Sequence, residues 1–270
     1  MTTLGGTPTL IGLPYDASSS YQRGPADAPA AIREALWSPS ANTWSELGIN
    51  IGVDGAITDA GDLELGRCSP ADARRAIEHG IARLLTVGAR PISLGGDHSV
   101  TYPVLRAVRR HAPSLTILHI DAHPDLYDEF EGDRYSHACP FARIMEEQLA
   151  DRLVQVGIRT MTAHQRAQAR RFGVEVIEMR NIQGDLRVPL SAPVYVSIDV
   201  DALDPAFVPG VSHREPGGLS VRQLLSLLHG IEEPIVAADV VELNPRNDAT
   251  GLSAMVAGKV VRELIGVMLR

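Results

Sequence analysis

Leu115-Thr116-Ile117-Leu118-His119-Ile120-Asp121-Ala122-His123-Pro124-Asp125 is the stretch that decides the fold. Its first half is an almost unbroken run of aliphatic and β-branched residues. Such a run marks a strand covered on both faces, as in a parallel sheet flanked by helices. Its second half turns abruptly to carboxylates and imidazole. Ligands of open parallel sheets bind beyond the carboxyl ends of the strands. One short segment therefore sets a buried strand and a candidate site end to end.

The pattern repeats outward in both directions. Strands are expected at Thr9–Leu13, Ile49–Val53, Pro91–Leu94, Leu115–Asp121, Leu153–Val156, Val174–Ile177, Val194–Asp199 and Ile235–Val240. Helical spacing falls between them. Ser69 precedes Pro70–Ile77 as an N-cap with proline at the first helical position. Thr101–His111 and Ser220–His229 follow the same period. Alternating strands and helices imply an α/β fold, a three-layer α/β/α sandwich on a mainly parallel sheet. No repeat or linker interrupts the chain, so residues 1–270 are expected to form a single domain. The Pro/Gly-rich segment Asp204–Gly218 is long for a loop in a compact domain, and such loops usually serve function.

Composition narrows the partners. The chain of 270 residues is 44% hydrophobic and carries a formal net charge of −8. An acidic chain without a Lys/Arg stripe is a poor match for nucleic acid or an anionic membrane surface. A small cationic substrate suits that sign. Cys68 and Cys139 form no C-x-x-C pair and read as reduced thiols. Cys139 has no strongly basic neighbour in sequence, so it is not read as a nucleophile. Met1–Gly6 lacks the basic and apolar parts of a signal peptide, and no apolar stretch is long enough to span a bilayer. These features give the expectation of a cytoplasmic protein.

Acids and histidines gather where strands end: at Gly95-Gly96-Asp97-His98-Ser99, at Asp121-Ala122-His123-Pro124-Asp125 and at Ser197-Ile198-Asp199-Val200-Asp201. Side chains two apart on extended chain share a side. Asp121, His123 and Asp125 can then face one point, as can Asp199 and Asp201. Bare carboxylates at the ends of apolar strands need a counter-charge, because unpaired buried charge is very costly. Metal ions supply it. With His98 these make four Asp and two His, too many for one tetrahedral zinc. They suit two ions about 3.5–4 Å apart, bridged by carboxylates. An oxygen-rich set with some imidazole favours Mn²⁺, with Ni²⁺ or Co²⁺ as substitutes. His119, one step deeper on the strand, reads as a residue behind the site; His79, His111, His164 and His229 read as surface or structural, and Asp204 as turn-forming.

These same motifs, with Asp239-Val240-Val241-Glu242-Leu243-Asn244-Pro245, resemble the ureohydrolase family of arginases, agmatinases and their relatives. The likeness runs over nearly the whole chain. Asp125–Ala138 and Pro209–Gly218 are most similar to the plant-type arginase branch. Ser212-His213 stands where many family members have Gly-Thr, and Ala138-Cys139 departs from both the plant and the agmatinase pattern.

The resemblance implies an eight-stranded sheet and a homo-oligomer, a trimer or hexamer. It implies His98 and Asp125 on one metal and His123 and Asp201 on the other, with Asp121 and Asp199 bridging. It further implies that Glu242 binds the guanidinium and that His137 moves protons. The chemistry implied is metal-assisted hydrolysis that releases urea from a guanidino substrate. Arginine is favoured over agmatine; guanidine or a guanidino acid are further alternatives. Tyr127, Arg134 and His213 are the expected contacts to the substrate's far end. A catalytically dead partner subunit would be expected to lack metal ligands, and here all six are present.

Overall fold

The computed structural model describes residues 6–184, 186–191 and 193–270. Its centre is an eight-stranded sheet, parallel throughout. The strands are β1 (Pro8–Gly12), β2 (Thr58–Asp62), β3 (Arg90–Leu94), β4 (Thr116–Ile120), β5 (Arg152–Ile158), β6 (Glu175–Glu178), β7 (Val194–Asp199) and β8 (Ile235–Val241). Their spatial order is β2-β1-β3-β8-β7-β4-β5-β6. Strands β3 and β4 are consecutive in sequence, yet β8 and β7 lie between them. The chain thus winds in opposite directions from the middle of the sheet, and a crevice opens at that switch point.

Among the described residues seven α-helices cover the two faces: α1 (Ala28–Leu36), α2 (Pro70–Thr86), α3 (Thr101–Arg109), α4 (Pro140–Glu146), α5 (Ala163–Phe172), α6 (Val221–His229) and α7 (Leu252–Leu269). One buried apolar cluster joins Ile32 and Leu36 of α1, Leu224 and Leu228 of α6, and Val261 and Leu264 of α7 to one face of the sheet. A second joins Ile77 of α2, Val104 and Leu105 of α3, and Phe141 of α4 to the opposite face. The three layers follow from the alternation read in the sequence. Local signals agree with the packing. Ser69 caps α2 by accepting from the Asp72 amide, and Ser220 and Thr162 open α6 and α5 with complete capping boxes.

One expected strand is corrected, and one observed strand had not been expected. Ile49–Val53 is not a strand of the sheet; it forms turns, with Asn50 bridged to Trp44. Ile51 is buried there as a single plug, so its apolar character serves packing and not a ladder. The edge strand beside β1 is β2, whose residues Thr58-Asp59-Ala60-Gly61-Asp62 are all exposed. It has no apolar signature because no helix covers it. Arg33 of α1 holds it instead, at 2.7 Å from Asp59 and 2.5 Å from Asp62.

Candidate dinuclear metal centre

The carboxyl ends of four adjacent strands, β3, β8, β7 and β4, deliver the site. After β3, Gly95 and Gly96 take φ of 70° and 90°, and a Cβ on Gly96 would meet the backbone oxygens of Leu13 and Tyr15 at 2.7 and 2.9 Å. Only glycine fits that passage, which brings His98 over the end of the sheet. Beyond β4 the chain is not extended, contrary to the alternating geometry expected for Asp121, His123 and Asp125. The strand stops at Ile120, the His123 amide donates to Asp121 Oδ1 at 2.6 Å, and Asp125 sits at φ 47°. After β7 a short 3-10 turn at Val200–Ala202 brings Asp201 under Asp199, whose Oδ1 accepts from the Asp201 amide at 2.8 Å. Loop and turn geometry achieve the convergence that strand periodicity was expected to give.

His98 Nδ1 lies 3.2 Å from Asp121 Oδ2, 3.1 Å from Asp125 Oδ2 and 3.3 Å from Asp199 Oδ2. The nitrogen is buried, and none of these contacts has hydrogen-bond geometry. Three oxygens and a nitrogen arranged around a common point, without bonding one another, are a donor set for a cation. His123 Nδ1 lies 3.0 Å from Asp201 Oδ2 and 3.5 Å from Asp121 Oδ1, which defines a second such point. Asp121 turns one oxygen to each. Asp121, His123 and Asp201 satisfy the spacing for one ion as they stand.

Tautomers fix which nitrogens could face a cation. Ser197 Oγ donates its one hydrogen to Asp239 Oδ1 at 2.7 Å, so it must accept from His98 Nε2 at 3.0 Å. His98 Nδ1 is left with its lone pair toward the carboxylates. His119 also lies within reach of this cluster, but both its nitrogens are engaged. Gln155 donates to Nδ1 at 3.0 Å, and Nε2 donates to Asp121 Oδ2 at 2.8 Å. His119 therefore orients a ligand, in line with the reading that set it behind the site.

The electrostatics match a site built for cations. Burial alone would raise Asp121, but His119, His123 and His98 around it hold it well below the usual carboxylate range. Burial, with the charges of Asp201 and Asp121, pushes Asp199 well above that range. Burial would lower His98 and His123, yet the surrounding carboxylates raise both well above the ordinary imidazole value.

Glu242 follows β8 and holds φ 65°, a left-handed conformation unusual for a side chain of its kind. Its Oε1 accepts from the His98 amide and from His137 Nδ1, both at 2.9 Å. Burial alone would lower His137, but Glu242 lifts it to about 9. On its other side, His137 Nε2 lies 2.9 Å from Ser20 Oγ. Ser20, on the loop after β1, was not anticipated from sequence; a run of three serines has no chemical signature of its own.

Above the centre opens a cavity of about 280 Å³ whose wall includes His123, Asp125, Tyr127, His137, His213 and Glu242. Tyr127 stacks on His164 with ring centroids 5.7 Å apart; His164 is exposed, in line with its reading as a surface residue. His213 Nε2 is buried without a hydrogen-bond partner among the described residues, and burial lowers its pKa, which favours the neutral ring. Glu215, Thr160 and Gln165, unmentioned in the sequence reading, complete the far wall. Arg134 does not line the cavity. Its guanidinium is 2.9 Å from Asp128 and 3.1 Å from Glu146, where it ties down the loop together with buried Arg143. The expectation that Arg134 reaches the substrate is not met, because two nearer carboxylates hold it. Asp204 caps its own turn, accepting from the amides of Ala206, Gly217 and Gly218. Cys139 is buried and its thiol is pushed up to about 12 by that burial, so it is no nucleophile.

Residues 7–266 match the family model described as the arginase family. This chain belongs to the arginase family. It is 48% identical over 270 residues to "Arginase 1, mitochondrial" of Oryza sativa subsp. indica, covering 94% of this chain and 79% of that protein. It is also 48% identical to "Arginase 1, mitochondrial" of Arabidopsis thaliana, covering 97% and 82%. Among solved structures, the arginase from Medicago truncatula superposes with a TM-score of 0.93 at 45% identity, covering 98% of this chain and 88% of that one. The fold and the ureohydrolase character expected from the motifs hold. The cytoplasmic expectation does not, since these arginases of rice and Arabidopsis are named mitochondrial. Charge balance and the lack of an apolar span carry no address. Among the described residues no helix is long and apolar enough to cross a membrane.

Proposed function

We propose that this chain hydrolyses L-arginine to urea and ornithine at a centre of two Mn²⁺ ions. The observation that carries it is the convergence of His98, Asp121, His123, Asp125, Asp199 and Asp201 on the floor of a cavity that also holds Glu242 and His137. The 48% identity to plant arginases supports arginine as the substrate. His98 and Asp125 would hold one ion, His123 and Asp201 the other, and Asp121 and Asp199 would bridge them. Bound there, the ions supply a water of lowered pKa and charge to offset a developing anion.

The chain's own residues do the rest. Glu242 keeps Oε1 on the His98 amide and His137, and Oε2 accepts no hydrogen bond from the described residues. That free oxygen receives the guanidinium. Asp125, held at an unusual φ by the loop, faces the same point and stabilises the tetrahedral carbon's amino groups. His137, protonated through its pairing with Glu242, gives a proton to the departing amine. Tyr127 and neutral His213 offer hydrogen bonds to the substrate's α-carboxylate without repelling its ammonium. The same proposal includes assembly as a homo-oligomer, trimer or hexamer, which light scattering reads directly.

The test is urea release from arginine, agmatine and 4-guanidinobutyrate after loading with Mn²⁺. Arginine is expected to be turned over with the highest kcat/KM. A preference for agmatine would overturn the substrate, and no urea from any of the three would overturn the reading itself.

A further inference from the structure

His137 has two nitrogens with different neighbours. Nδ1 faces Glu242 Oε1 at 2.9 Å. A carboxylate oxygen only accepts, so Nδ1 keeps its hydrogen whether the ring is neutral or charged. The proton that comes and goes is therefore the one on Nε2. Among the described residues, Nε2 has a single hydrogen-bond partner, Ser20 Oγ at 2.9 Å. A hydroxyl can turn, donating to the neutral ring and accepting from the imidazolium. A carboxylate at that place would lock the proton on, and a backbone amide would keep it off.

The loop after β1 is built to hold Ser20 there. Asp97 Oδ2 accepts from the Ser18 amide at 2.9 Å and from Ser19 Oγ at 3.2 Å. The Asp97 amide donates to Tyr15 O at 2.8 Å, and the His137 amide donates to Ser18 O at 3.2 Å. Asp97 is fully buried. It lies in the first motif beside His98, and its hydrogen bonds to Ser18 and Ser19 anchor this loop. Ser20 itself lines the cavity.

We propose that Ser20 is a positioning residue for His137, keeping the imidazole aimed at the leaving amine both before and after proton transfer. This rests on the reading of His137 given above. The groups facing the ring are Glu242, Asp97, Asp125 and Ser20, with the neutral His213 ring 5.3 Å away. Ser20→Ala leaves all of these except its own hydroxyl. Hydrogen bonds to a charged ring are stronger than those to a neutral one, so the loss falls more heavily on the imidazolium. The basic limb of the kcat profile then moves to lower pH.

Ser20→Ala, Ser20→Thr and His137→Asn are compared in the Mn²⁺-loaded enzyme, with metal content measured for each. Ser20→Ala is expected to lower kcat about ten-fold, the loss of one hydrogen bond to a charged group, with KM and metal content unchanged and the basic limb moved to lower pH. Ser20→Thr keeps the hydroxyl and restores both. Wild-type kcat and pH profile in Ser20→Ala would overturn the proposal, as would a loss of kcat with an unmoved limb that threonine does not rescue. Histidine NMR of the chelated protein gives a readout free of turnover: the His137 titration should fall in Ser20→Ala, and an unmoved titration counts against the proposal. If His137→Asn is impaired while Ser20→Ala is not, Ser20 alone is misassigned. Full activity in His137→Asn would instead remove the proton-transfer reading beneath it.

Discussion

Glu242→Gln is the substitution whose outcome the geometry determines most closely. Taken from sequence, a carboxylate opposite a guanidinium invites a two-bond fork. The structure divides the work. Oε1 already accepts two hydrogen bonds, from the His98 amide and His137 Nδ1, each at 2.9 Å. One oxygen remains for the substrate. Glutamine keeps the shape, and its carbonyl can stay on the two protein donors. Its NH₂ is then turned toward the guanidinium, donor against donor. The loss is one charge-assisted hydrogen bond, about 1.5–3 kcal/mol, or roughly 10- to 150-fold in kcat/KM. A fork would have cost more. The assay is urea release from arginine at matched metal content, beside a histidine titration by NMR. The substitution also removes the negative charge that raises His137, so its titration should drop from about 9 toward or below 6.5 in the chelated protein. A kcat/KM within two-fold of wild type, with full metal content, would refute the assignment of Oε2 to the substrate.

The remaining predictions follow from the same arrangement. Metal analysis of loaded protein should find close to two ions per chain, and chelation should abolish urea release; full activity with one ion would refute the bridged centre. Asp199→Ala should lose metal more readily than His98→Ala, because a bridging carboxylate serves both ions, and thermal stabilisation by added Mn²⁺ should shrink in parallel; equal retention would remove the bridging role. Metal uptake should release protons, since the facing carboxylates raise His98 and His123 and burial raises Asp199 above their ordinary ranges in the chelated protein; calorimetry in buffers of different ionisation enthalpy measures their number, and a value of zero would contradict the site's electrostatics. His137 is raised from 6.5 to about 9, so in chelated protein its pairing with Glu242 contributes stability in full below pH 6.5 and loses it as pH rises through about 9; denaturation across that window should show the decline, and Glu242→Gln should flatten it. Arg134→Ala should lower thermal stability slightly and leave the arginine-to-agmatine ratio unchanged, because Asp128 and Glu146 occupy its guanidinium.

The central strands were legible because burial on both faces forces an apolar run, as at Thr116–Ile120 and Val194–Asp199. The edge at β2 was not. β2 is wholly exposed, so nothing selects apolar residues there. Ile51 drew attention to the wrong segment because one deeply buried isoleucine between glycines looks, in one dimension, like the middle of a strand. The other edge, β6, is half-buried apart from Glu175 and keeps enough apolar residues to be expected at Val174–Ile177.

The convergence of acids and histidines was legible for a related reason: acids where apolar strands end have few uses other than binding cations. Their geometry was not, since Asp121, Asp125 and Asp201 converge through a capped loop, a left-handed φ and a 3-10 turn. The rim was harder still. Arg134 carries the right chemistry for a carboxylate, but Asp128 on its own loop and Glu146 at the end of α4 already hold its guanidinium. Ser20, with no charge and no motif, makes the contact with His137 instead. Residues that bind strongly charged partners announce themselves by type. Those that orient another side chain are defined only by where the fold puts them, as His119 shows: chemically a metal ligand, it acts through Asp121 because Gln155, its register partner on β5, occupies its other nitrogen.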